Sequence, residues 1–140
     1  MTEFTDLQKA HHALMFYTLE HAKHDPSFIH QLGVDASAAY YADEQTKPIT
    51  LAFALIGLYL HIEHAYTGKQ VQDAHIVLAK KRKQWPKFSL PKDRGSITIE
   101  DVLRSPEGNE RDEMLKKWCV SVWNAYTESH DAVRELVASS

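Results

Sequence analysis

The chain has 140 residues, 44% of them hydrophobic and 25% charged, with a formal net charge of −3. That length and mix describe one globular domain spanning residues 1–140, able to bury a core without covalent staples. One cysteine, Cys119, excludes an intrachain disulfide framework and a cysteine cage for zinc, and the mild negative charge gives no general attraction for nucleic acid or an anionic membrane.

The first six residues carry acids where a secretory signal needs a basic segment ahead of an apolar one, so a cytoplasmic location is expected. Over residues 5–23 apolar side chains recur at helical spacing, and Thr5 with Gln8 can close a capping box. At about 100° per residue, Phe4, Leu7, Leu14, Met15 and Ala22 share one stripe, with His11 and Thr18 in its middle. Asp25-Pro26 opens a second helix that runs to about residue 43, with Gly33 its weak point. A third helix starts at Thr46 to Pro48, and from Ile49 to Leu60 only Thr50 and Gly57 interrupt the apolar run. It is predicted as the central helix, and its twelve residues rise only about 18 Å, against about 30 Å for a bilayer core, so it does not span a membrane.

Gly68 is expected to end that helix, and residues 69–83 form a fourth that finishes in Lys80-Lys81-Arg82-Lys83. Residues 84–98 hold two prolines and a glycine and read as a long loop, either a lid or a structural strap pinned by Trp85 and Phe88. Thr98 caps a short helix over 99–104, Ser105 to Gly108 break the chain, and a last helix runs unbroken over 109–138. Its buried stripe is Leu115, Trp118, Cys119, Val122, Tyr126, Val133 and Leu136. No strand alternation competes, so the predicted fold is an all-α bundle of four or five main helices plus the short one.

Several motifs carry a family resemblance: Trp85-Pro86-x-Phe88-x-x-Pro91, Gly95-x-Ile97-Thr98-x-x-Asp101-Val102 and Trp118-x-x-Ser121-Val122-Trp123-x-Ala125-Tyr126. With His30-x-Leu32-x-Val34-Asp35 and Leu58-Tyr59-Leu60-x-x-Glu63, the chain resembles, over about residues 28–136, a family of small bacterial helical proteins classed as a domain of unknown function. The resemblance implies a helical fold and assigns no activity. It also implies aromatic and histidine side chains just after Asp35 and a histidine in the third helix, where this chain has Ser37, Tyr41 and Ala54.

Nine histidines are the compositional oddity. Neither Glu-x-x-His nor His-Glu-x-x-His occurs, which removes di-iron bundles and the common zinc hydrolases, and His61-Ile62-Glu63 lacks the paired cysteines of a nucleobase deaminase. On the third helix Thr50, Ala54, Gly57, His61 and His64 fall within about 80° of arc, a strip of small residues leading to two imidazoles. The expected site is a pocket for a small molecule or a divalent metal, with His61 and His64 joined by His11 or His130; imidazole suits zinc, iron or nickel. Trp123 and Arg134 are expected to wall it. The alternative is a non-enzymatic interaction module or homo-oligomer presenting Trp85, Phe88 and Trp123. Nucleic-acid binding through Lys80 to Lys83 ranks last, and no enzyme class follows from these residues.

Overall fold

Hydrogen bonding within single segments accounts for every regular element of the computed structural model, which describes residues 6–22 and 29–139. The helices are α1 (Asp6–Ala22), α2 (Ile29–Tyr40), α3 (Pro48–His64), α4 (Gly68–Lys81), α5 (Ile99–Arg104), α6 (Asn109–Ala125) and α7 (His130–Ala138), with a 3₁₀ turn at Thr127–Ser129. Thr5 and the Asp25-Pro26 start lie outside the described residues. Among the described residues no helix is long and apolar enough to cross a membrane.

The central helix is α3. Its residues Leu51, Ala52 and Ala54 to Leu60 are all buried, and it packs on α2, α4, α6 and α7. A helix apolar on every side is stable in water only when covered in this way. Pro48 occupies its first turn, where the missing N–H is no loss. The turn after it corrects the expectation for Gly68: Ala65 itself takes the left-handed conformation at φ 56°, and Gly68 is the first residue of α4. Thr67 and Gln70 close a capping box there, so the helix start comes from the threonine.

The last predicted helix is two helices. After α6 the chain leaves helical geometry at Tyr126, and the His130 ring nitrogen Nε2 lies 2.7 Å from the Trp123 carbonyl oxygen. Thr127 Oγ1 bonds the Asn124 carbonyl. Polar side chains thus take carbonyls that a continuous helix would use, while Tyr126, Val133 and Leu136 keep the buried stripe in register.

Residues 82–98 form a strap. Trp85 meets the Phe53 ring edge-on at 5.0 Å, and Phe88 is buried. Arg94 donates from Nη1 to the carbonyls of Ala39 and Tyr40 at 3.1 and 3.0 Å, and the Tyr126 hydroxyl donates to Ala39 at 2.6 Å. These bonds satisfy the last carbonyls of α2, which no helical N–H can reach. Gly95, at φ +100°, lies so near α6 that a methyl there would sit 3.0 Å from the Ser121 carbonyl oxygen. The predicted Thr98 cap is present, with Asp101 as its reciprocal partner.

Candidate functional site

The histidines expected to converge each hold a different partner. His61 Nδ1 is 2.9 Å from the Tyr66 carbonyl oxygen and helps close the end of α3. His64 Nε2 lies 2.7 Å from the Tyr59 hydroxyl, the two rings edge to face. His130 stacks on Trp123 with centroids 3.8 Å apart. His11 is at the far side of the bundle, its Nδ1 3.1 Å from Ser37 Oγ. Among the described residues no group of three histidine, cysteine or acidic side chains could hold a metal ion.

Trp123 is 2% exposed, and Arg134 makes a two-pronged contact with Glu63, Nε to Oε1 at 3.0 Å and Nη2 to Oε2 at 2.8 Å. Spacing along α3 alone turns Glu63 away from His61 and His64, and α7 is what meets it. The Arg134 guanidinium holds the Glu63 carboxyl below its ordinary range. Trp123 and Arg134 therefore brace α3, α6 and α7 and do not face an open pocket. Phe88 and Trp123 are likewise core residues, so of the three aromatics in the alternative reading only Trp85 is partly exposed.

The strip of small residues on α3 does make room, and the protein fills it. A methyl on Gly57 would lie 2.6 Å from the carboxyl carbon of Asp35 and closer still to its Oδ2. Asp35 reaches from α2 into this gap, 3% exposed. Gln31 donates to its Oδ1 at 3.1 Å, and its Oδ2 has no hydrogen-bond partner among the described residues. Burial pushes its carboxyl well above the ordinary 3.8, which favours the protonated form. The nearby Cys119 thiol donates weakly to the Leu32 carbonyl, and burial raises its pKa further. His30 lies apart from Asp35, with Nδ1 2.9 Å from Thr18 Oγ1.

Open concave space lies elsewhere, between α1, α2 and the start of α3. This cleft has a volume of about 470 Å³. Its apolar wall includes Met15, Val34 and Ala38, and its polar groups include His11, Ser37 and Tyr41. Tyr41 packs edge-on against Tyr40 at 4.7 Å, and its hydroxyl pKa is pushed up to about 12 by burial, by the charge of Glu100 and by Tyr40. Beside the cleft Leu7 and Met15 of α1 are left partly uncovered. A wider groove of about 780 Å³ runs along α6, but it is lined by both lysines and acids, Lys116 and Lys117 with Asp93 and Glu113, and lies open to solvent.

A family model described as a family of unknown function (DUF5946) matches residues 8–127. The chain belongs to that family. The match takes in most of α1, which the motif resemblance had left outside; Leu14, Tyr17 and Thr18 explain why, since they are buried and make α1 part of the same core. In this DUF5946 chain the matched span holds Asp35, Gly57 and all of the cleft except Leu7, and it stops before His130 and Arg134. No curated protein and no solved structure matches the chain. Ser37 and Tyr41, two of the three positions where the resemblance implies aromatic or histidine side chains, line the cleft; the third, Ala54, is buried one turn after Thr50.

Proposed function

We propose that this DUF5946 protein binds a small molecule in the cleft between α1, α2 and the start of α3. The observation that carries the reading is the cleft itself. Its 470 Å³ falls in the usual span for small-ligand sites, roughly 300–1,000 Å³, and it combines a mainly apolar lining with the His11–Ser37 pair and Tyr41. The reading keeps the small-molecule half of the sequence expectation and one of its four histidines. Zinc, iron and nickel have no part in it, since the predicted ligands hold other partners.

The test is a ligand-observed NMR screen of small fragments against the protein and against Ala38→Trp, which fills the cleft. Binders that are lost in Ala38→Trp, with its helical content retained, support the reading. Binders that persist unchanged in the filled variant refute it.

A second reading, an interaction module or homo-oligomer, is favoured by a different surface from the one expected. Phe16 and Leu19 on the outer face of α1 are 68% and 51% exposed, more apolar area than a solvent-facing helix needs. Light scattering across a concentration series tests it: self-association weakened by Phe16→Ser supports it, and a monomer at every concentration counts against self-association.

A further inference from the structure

We infer that the cleft takes an uncharged molecule with an apolar body and one edge of hydrogen-bonding atoms, an inference that deepens the reading above and rests on it. Among the described residues no acid, lysine or arginine lines the cleft. An ionic ligand would shed its water there without meeting a permanently charged lining side chain, and an isolated charge is the costliest group to bury. Acids beside the wall, Glu100 acting on Tyr41 and Asp43 bonded by the Thr46 hydroxyl, oppose an anion there.

The polar groups that remain set the other half of the match. His11 commits Nδ1 to Ser37, and its Nε2 has no hydrogen-bond partner among the described residues. The Tyr41 hydroxyl makes no hydrogen bond among the described residues either, and with its pKa near 12 it is a neutral donor at physiological pH. A donor fixed on a stiff aromatic ring and an imidazole nitrogen that can donate or accept, both set in apolar surroundings, suit a carbonyl, amide or hydroxyl on a hydrophobic body. Met15 supplies a flexible, polarizable wall that can adapt to the outline of a ring.

The experiment uses three probes that share one ring and differ in charge: benzamide, benzoate and benzylamine, each titrated into the full chain and followed by amide NMR shifts. Benzamide is expected to give saturable shifts at cleft residues, with the two ions at least about tenfold weaker and Tyr41→Phe weakening benzamide by about tenfold. Cleft binding by either ion as tight as that of benzamide overturns the ligand class while the cleft survives as a binding site. Benzamide affinity unchanged in both Tyr41→Phe and His11→Phe overturns the hydrogen-bonding edge. Failure of all three probes to shift any cleft residue, in protein whose screen binders are lost in Ala38→Trp, overturns the class alone; without such binders the cleft reading falls with it.

Discussion

Replacing Asp35 by asparagine is expected to stabilise the protein at neutral pH, although the residue is buried and hydrogen-bonded. Burial raises the pKa of the Asp35 carboxyl well above 3.8 in the folded chain, whereas the unfolded chain releases that proton near 3.8. Over that window the folded state binds one more proton than the unfolded state, so stability falls as pH rises. Each pH unit between the unfolded and folded pKa values costs the wild-type chain on the order of 1 kcal/mol that the non-titrating asparagine variant retains, so the gap between them widens across that window. An unpaired buried donor costs about 1–3 kcal/mol, but the asparagine N–H stands where the carboxyl O–H stood, and that contribution largely cancels in the comparison. Urea unfolding followed by circular dichroism, for both proteins at intervals from pH 5 to pH 8, measures the gap. A gap that does not widen with pH, or an asparagine variant less stable than wild type at pH 7, would refute the reasoning by showing that Asp35 is ionised and compensated.

Gly57→Ala should lose roughly 1–3 kcal/mol by overpacking the Asp35 carboxyl, despite the gain of about 1 kcal/mol that alanine brings to a helix interior; in an Asp35→Ala background the loss should vanish, and simple additivity would argue against the contact. His75, stacked on Phe53 with Nε2 2.8 Å from the Phe53 carbonyl oxygen, is held below its ordinary 6.5 by burial. The unfolded chain therefore takes up its proton first, and this contribution to stability is lost as pH falls through 6.5. An NMR titration placing His75 at or above 6.5 would contradict this. Cys119, fully buried with a raised pKa, should resist Ellman's reagent until the chain is unfolded in urea; rapid native labelling would show that α6 opens. Arg94→Ala should cost roughly 1–3 kcal/mol by freeing carbonyls at the end of α2, and an unmoved urea midpoint would mean that the strap does not hold that helix.

Much of the fold was legible because it depends on local signals. The all-apolar run of α3, the Thr98 cap and the stripe from Leu115 to Leu136 are patterns within one segment, and burial bears them out. The break at Tyr126 was hidden because the stripe stays in phase across it; what breaks the helix is His130 and Thr127 taking backbone carbonyls, which periodicity does not register. The pocket expectation failed for a related reason. Helical spacing correctly put Gly57 and Ala54 on one strip, but whether a gap between small residues stays empty depends on the facing helix, and Asp35 of α2 enters it. His61 and His64 share a face as predicted, yet a hydroxyl and a carbonyl nearby each claim one ring. The cleft depends on how α1 packs on α2, a matter of tertiary geometry; of the residues singled out from the sequence, His11, Ser37, Tyr41 and Thr50 line it.

The far end of α2 has a bearing on how the chain is made. Its closing carbonyls are met by Arg94 and by Tyr126, the latter 87 residues downstream of Ala39. A ribosome releasing this protein from its N-terminus would extrude α1 to α4 before either partner emerges, Arg94 first and Tyr126 later. Native order in the front half therefore has to await synthesis through Tyr126, and a product truncated after α4 should stay loose and open to proteolysis.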